Sequence, residues 1–592
     1  MIEKMKQITM LVSEKEREKF VSKLRKAGVL HVKHVIAPEA HEISFIEDRI
    51  SRIKKLIEQV EPYCDGRPDR RRSSLERDVL SCADDADEDL KLKRETEEEI
   101  EKLKKDKLWF AEWGHIKRED LLKVKKSGVN IRLYELPVKE TKQVSGKLHI
   151  IGKRGATARA AFITGDVAEE LPFRETALPE MSEKQIEIEL SVCAQRTKAI
   201  EERFKDRARA LPAMRECLHK LETEMAALLV RFGMKSEGAF AYVRGFVPEK
   251  KIPRIKQLCE KLEAGFISED PDDPDETPTL VTNPGWIEIV KPVFSFMNTL
   301  PGYAEFDISF VFLIFFSLFF AMLIGDAGYG LVFIGLAYLA RKKLPKAPRE
   351  PFFLIYLLGG CTVVWGALTG TWFGIEALSK APVLRSVVIE KIGSFSGDNQ
   401  NFMIQICFII GAVHLTLAHI MKIARQINSL KALSEAGWIM ILWGMFFLAG
   451  KFVLAGDFPA AAGWLLGAGI VLVMFFTAPE KGIIKGMLSV LAQLPLSVIS
   501  SFSDIVSYLR LFAVGVATVV VADSFNKMAW PGAPASFIGG FLSALVLFLG
   551  HSLNIALGCM AVIVHGIRLN MLEFSGHLGM QWSGKAYEPF KE

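Results

Sequence analysis

Two hydrophobic rhythms divide the chain near residue 300: before it apolar residues recur at short intervals among charges, and from Ile308 onward they come in long runs. At the start, a strand-like run Gln7–Val12 precedes an amphipathic helix Glu14–Ala27, which Gly28 ends before a second strand, Val29–Val35. This pattern predicts a small α/β unit. An apolar 4-3-4-3 repeat follows at Ile46, Ile50, Ile53, Ile57 and Val60, and then the highly charged helix Asp87–Phe110. The strongest heptad signal spans Ile186 to Leu228, where eleven of thirteen seam positions are apolar and Thr197 and Arg207 are the exceptions. Six such heptads predict a coiled coil, with Pro212 expected to kink it. Between the helical stretches, Asn130–Thr164 is strand-rich and forms the centre of a distal α/β lobe near 110–180. An outgoing helix, a lobe and a returning helix predict an antiparallel coiled-coil arm closed within one chain; homodimerisation is the other reading of the heptads. Residues Ala239–Ile267 read as a second α/β unit, and the Pro/Asp linker Glu269–Pro278 marks a boundary.

The second half contains eight apolar stretches: 308–324, 327–340, 352–375, 402–421, 436–455, 460–478, 490–525 and 536–567. Each is taken as a membrane span. Loops on one side carry Arg341, Lys342, Lys343, Lys346 and Arg349, then Lys422, Arg425 and Lys431, then Lys481 and Lys485. The opposite loops are poorer in cations, so the basic set is expected in the cytoplasm. Eight spans would place both termini on that side. The expected fold is therefore an α-helical polytopic membrane domain of eight transmembrane helices (301–592), joined to an elongated cytosolic α+β domain (1–300) with an antiparallel coiled-coil arm.

Within the seventh stretch, SDIVSYLRLFAVGVATVVVADSF, Arg510 stands among Val506, Leu509, Leu511, Phe512, Val514 and Val516 with no acidic residue one turn away. A guanidinium at mid-bilayer costs at least about 2.5–3.5 kcal/mol and normally faces protein or water for a purpose. It is also a permanent charge. Ser503, Ser507, Val514, Ala517, Val521 and Ser524 share its helical face, and small residues admit a close partner. The stripe reads as the face on which a mobile anionic group meets Arg510. The last stretch carries His551, Asn554, His565 and Arg568 within a sector of about 100°, one polar stripe in an apolar surround. Together the two helices predict a water-accessible ion path. Singly, Asn554 or His551 is as readily a helix-to-helix hydrogen bond. Arg568 lies near a helix end, where it can snorkel with Glu573 as a partner.

Composition adds exclusions. The net charge of +5 over 592 residues gives no case for nucleic acid. The eight cysteines include no CxxC pair, and the first twenty residues lack an apolar core of signal-peptide length, so the charged half is expected in the reducing cytosol. No phosphate-binding GxxxxGK[ST], metal-ligand cluster or GxSxG occurs, and no cofactor, metal or catalysis by this chain itself is expected.

The run SDIVSYLRLFAVGVA, then GHSLNIALGCMAVIVHGIRLNMLEF, resembles the last two helices of the membrane stator subunit of V/A-type rotary ATPases, called subunit a in eukaryotes and subunit I in archaea and bacteria. FSLFFAMLIGDAGYGLV (Phe316–Val332) resembles that family's first hairpin; YVRGFVPEKK and the segment from TPTLVTNP to Tyr303–Asp307 resemble its junction between soluble and membrane parts. The likeness covers the whole chain in order. The run SGHLGMQWSGKAYEPF after Phe574 departs from the aromatic, basic pattern usual there. The resemblance implies a folded-back cytosolic domain that holds the peripheral stalks. It also implies two offset half-channels, and an Arg510 that faces the essential carboxylate of a rotating proteolipid ring, with Arg568 as a second, supporting arginine. The central-stalk subunit and soluble ATPase head would be further partners. Asp504 and Ser507 are candidates for the cytoplasmic half-channel. His551, Asn554, His565 and Arg568 are candidates for the other path or for supporting Arg510, and Glu573 is a further half-channel candidate. A secondary transporter would predict internal repeats, which the two halves of the membrane region lack. A membrane scaffold without transport would leave Arg510 unexplained.

Overall fold

The computed structural model describes residues 1–591 apart from 34, 39, 65–75, 139, 143–146, 155, 166–170, 174, 394–398, 478–482 and 531–536. Lys481 of the third basic loop lies outside the described residues. The chain is mostly helical and forms two compact units.

One unit comprises Leu11–Gly28, His34–Val243 and Phe590–Glu592. Its first helix, α1 (Arg17–Ala27), stops at Gly28, whose φ of 62° lets its N–H reach the Leu24 carbonyl without a Cβ penalty. The long helices are α2 (His41–Val60), α3 (Glu76–Trp113), α4 (Glu183–Ala208) and α5 (Leu211–Gly233). Helix α2 packs on α5, and α3 on α4. The heptad positions Ile200, Phe204, Leu211, Met214 and Leu221 are buried against Ile46, Ile53, Leu56 and Val60 of α2 and Val79, Ala83 and Ala86 of α3. Ile186 and Cys193 meet Leu103 and Phe110. The seam is thus closed by helices of the same chain. Its charged exception has a partner: Arg207 lies 2.7 Å and Arg203 2.6 Å from the Asp89 carboxylate. Pro212 does more than kink the seam. The helix ends at Ala208 and restarts at Leu211, with Pro212 in the new first turn, where its missing N–H costs nothing. The strand-rich stretch forms an antiparallel three-stranded sheet ordered Asn130–Pro137, Thr157–Thr164, Leu148–Arg154. Tyr134, Leu136, Ala160 and Phe162 form its core.

The other unit comprises Met1–Met10, Val29–Lys33 and Arg244–Pro589. Its short strand His31–Lys33 pairs antiparallel with Arg244–Phe246. The C-terminal tail returns to this region. Ser583 and Ala586 form parallel bridges to Leu300 and Thr279, and the Tyr587 hydroxyl donates to the Val29 carbonyl. Burial pushes the Tyr587 phenol up to about 12. Glu305 accepts from the amides of Gln581 (2.5 Å) and Trp582 (3.2 Å).

The apolar half folds into α6 (Ser309–Ile324), α7 (Ala327–Lys343), α8 (Glu350–Thr369), α9 (Gln400–Arg425), α10 (Lys431–Leu454), α11 (Ala460–Phe476), α12 (Ile483–Ser507), α13 (Leu509–Ala529) and α14 (Phe537–Ala561). Helix α6 is central: twelve of its sixteen residues are buried, which is why it is apolar all round. It turns into α7 through a bend of 119°. Gly325 takes φ 68° there, and the Asp326 carboxylate accepts from the amides of Gly328 (2.8 Å), Tyr329 (3.3 Å), Phe373 (2.8 Å) and Gly374 (2.8 Å). The GDAGYG run is therefore a corner clamp.

By length and composition, five helices among the described residues suffice to cross a membrane, or six if the bent pair α6–α7 counts as one. The sequence contains eight apolar stretches. The difference rests on α6, α7 and α11, which at 16, 17 and 17 residues are shorter than the roughly 20 needed to cross unaided. The seventh stretch is interrupted at Tyr508, between α12 and α13. The eighth continues past α14 in two π-helical segments, Val562–Gly566 and Leu569–Phe574.

Candidate functional site

Arg510 opens the first turn of α13, directly after the interruption at Tyr508. That tyrosine is fully buried, with its hydroxyl 2.8 Å from His414 Nδ1, and His414 stacks between Phe315 and Phe574. The packing fixes the helix break and, through Phe574, the neighbour of Glu573. Arg510 Nη2 donates to Glu573 Oε1 at 2.9 Å. Arg568 Nε lies 3.6 Å from the same oxygen. The Glu573 side chain is 4% exposed, Arg510 24% and Arg568 54%, so a buried carboxylate joins two increasingly open guanidiniums. Arg510 Nη1 and Glu573 Oε2 are buried and make no hydrogen bond among the described residues. Glu573 belongs to the second π-helical segment, a geometry that often occurs where side chains are re-aimed for function. None of Ser503, Ser507, Val514, Ala517, Val521 and Ser524 on the Arg510 face is buried.

Beside this trio lies a cavity of about 380 Å³, lined by Ser497, Ser500, Ser501, Asp504, Glu573, His577, His419 and Lys422 among others. It is polar and ample for water. Its wall carries a continuous file of polar contacts. Lys422 Nζ is 2.6 Å from Glu435 Oε1, and Glu435 Oε2 is 2.7 Å from His419 Nδ1. His419 Nε2 is 3.0 Å from His577 Nδ1, whose Nε2 is 3.1 Å from Asp504 Oδ2. Groups that both donate and accept protons are thus spaced at hydrogen-bond distance from Lys422 to Asp504. Ser507 takes no part; its hydroxyl bonds back to the Ser503 carbonyl at 2.9 Å.

A second cluster surrounds Tyr329. Its hydroxyl is 2.7 Å from His551 Nδ1 and accepts from Asn554 at 3.0 Å. Asn554 also donates to the Thr518 carbonyl (2.8 Å), and His551 Nε2 is 3.1 Å from Asn526 Oδ1. The polar residues of the last stretch divide between two clusters. His551 and Asn554 join the Tyr329 cluster, whereas Arg568 joins Arg510 and Glu573. His565 makes no hydrogen bond among the described residues. Asn554 and Arg568 are separated by about 20 Å along the helix at 1.5 Å per residue, so the two ends of the stripe meet different partners.

Sequence reasoning missed His419, Glu435 and His577 as site residues, and used Lys422 only for topology. The available signal was an ionisable group inside or at the edge of an apolar stretch, the same cue that singled out Arg510. Asp326, Tyr329 and Asn526 also escaped, because their roles depend on tertiary contacts.

No family model matches the chain. A V-type ATP synthase subunit I of Borreliella burgdorferi is 30% identical over 629 residues, covering 100% of both chains. A V-type ATP synthase subunit I of Treponema pallidum is 27% identical, again over 100% of both. An A-type ATP synthase subunit I of Methanocaldococcus jannaschii is 27% identical over 69% of this chain and 62% of its own. A solved structure, described as the cytoplasmic N-terminal domain of subunit I, a homolog of subunit a of V-ATPase, aligns with 44% of this chain and 99% of its own. Identity is 14% and the TM-score 0.23, too low to speak for the fold. With full-length coverage at 30% identity, the chain belongs to the V/A-type ATP synthase subunit I family.

Proposed function

We propose that this chain is the membrane stator of a V/A-type rotary ATP synthase and forms the ion path, for protons or sodium, against a rotating proteolipid ring. The observation that carries the reading is Arg510: a permanent cation, partly exposed, on a face of small residues none of which is buried, beside a polar cavity. A ring carboxylate crossing the bilayer is neutral while it carries its ion. Beside Arg510 its charged form is favoured by the adjacent opposite charge, so the ion is released. Arg510 thereby forces exchange through two offset half-channels and blocks direct leakage between them.

Asp504 and Ser507, with His577, His419 and Glu435, would form the cytoplasmic half-channel. His551 and Asn554, with Tyr329 and Asn526, would serve the opposite path; His565 and Arg568 would lie between that path and Arg510. Residues 301–592 would be the membrane domain, with all eight apolar stretches crossing and both termini in the cytoplasm. The bridges from the tail to Thr279 and Leu300 support a shared side for the C-terminus and the segment before α6. Residues 1–300 would be the cytosolic stator domain, whose helical arm binds the peripheral stalks. The central stalk and the soluble ATPase head complete the assembly. Co-purification of the tagged chain with a proteolipid ring and ATPase subunits tests the reading. A chain that purifies without them, yet transports ions in vesicles, would instead be a self-contained transporter.

A further inference from the structure

We infer that Glu573 is a resident counter-ion that leaves the two arginines with one net positive charge, so that the site engages one ring carboxylate at a time. The inference rests on the reading that Arg510 meets that carboxylate. Both guanidiniums converge on a single oxygen, Glu573 Oε1, at 2.9 and 3.6 Å. Neither can lose its proton, so two fixed positive charges and one carboxylate sum to a single positive charge. The nearby acidic group, Asp504, is engaged by His577 at 3.1 Å and does not contact either arginine.

The geometry leaves room for an arriving anion. Arg510 is 24% exposed with Nη2 held by Glu573, so a ring carboxylate approaching from the open side meets its charge without displacing Glu573; Nη1 is buried and is not the contact atom. Arg568, 54% exposed, adds its charge through Glu573 without occupying the contact face of α13. With Glu573 neutral, the site would hold two uncompensated cations. A ring carboxylate would then bind strongly and leave slowly, stalling rotation at the ion-release position. With Arg568 neutral, Arg510 would be fully compensated by Glu573 and would discharge the ring carboxylate poorly. Glu573 is thus a positioning residue that acts through Arg510.

The test uses the complete complex in sealed vesicles, with ATP-driven ion uptake, ATPase rate and subunit content measured together. Glu573→Gln keeps the shape and removes the charge. Uptake should fall at least about tenfold, since an unopposed charge at this range is worth more than that in a weakly solvated site. Arg568→Gln should also slow uptake. The double variant Arg568→Gln/Glu573→Gln restores one net positive charge and should pump faster than either single variant. Wild-type uptake in Glu573→Gln would overturn the proposal. So would a double variant no faster than the singles, which would make Glu573 merely structural. If Glu573→Gln alone does not assemble, the comparison of Arg568→Gln with the double variant decides: no gain from the second substitution overturns the proposal. Normal uptake in Arg510→Ala would be a different failure, that of the underlying reading.

Discussion

Arg510 and Glu573 stand 63 residues apart in the chain and 2.9 Å apart in space. The pair answers how a permanent cation is held within an apolar helix that offers no local partner. It also ties together the last two helices at the two places where each departs from regular α-helix, the break at Tyr508 and the π-helical segment Leu569–Phe574.

Arg568 shares that carboxylate but is far more exposed. Arg568→Ala should leave assembly intact and reduce coupled transport, with less damage than Arg510→Ala. Arg568→Lys should recover part of the activity if charge is what matters. Full transport in Arg568→Ala, with assembly quantified alongside, would show that this side chain only reaches for water.

The Asp326 clamp should be structural. Its carboxylate accepts from four backbone amides across two segments. Asp326→Ala leaves those donors unpaired, at about 1–3 kcal/mol each. The variant should fail to accumulate in the membrane, as read by immunoblot of membrane fractions; normal accumulation and pumping would contradict the clamp.

The helical seam predicts a different failure. Phe204 of α4 is fully buried in a core shared with α2, α3 and α5. Phe204→Ala should cost about 3–5 kcal/mol. It should lower the thermal midpoint of the charged unit without changing the membrane helices' circular dichroism. A midpoint within error of wild type would mean the seam is not closed by this packing.

The tail is held by a neutral phenol. Tyr587 titrates near 12 in place, above the 10 of a free tyrosine, because burial disfavours phenolate. Its contribution is present below pH 10 and is lost as the pH rises from about 10 to about 12. Amide protection at residues 583–587, after correction for base-catalysed intrinsic exchange, should fall across that window, and Tyr587→Phe should remove that fall. Unchanged protection up to pH 12 would contradict the role of Tyr587.

Legibility followed the range of the interaction. The heptad seam, the strand-rich lobe and the long apolar helices are periodic features, and each appears where its pattern lies. Arg510 was conspicuous because a charge among apolar neighbours is costly wherever the chain goes. Its partner was not, since a contact 63 residues away leaves no trace in spacing. The partners of the polar residues on the last helix were hidden for the same reason, since Tyr329 and Asn526 sit on other helices. The file Lys422, Glu435, His419, His577, Asp504 draws on four helical regions, so only the folded chain assembles it.

The central claim is that Arg510 couples ion movement to rotation, and its most direct test is ATP-driven ion uptake by vesicles containing assembled Arg510→Ala complex. Assembly should stay at wild-type levels and coupled uptake should be lost. The same loss is expected in Arg510→Lys, because an ammonium is a more strongly hydrated point charge without the planar fork. Uptake near the wild-type rate in the assembled Arg510→Ala complex would contradict it.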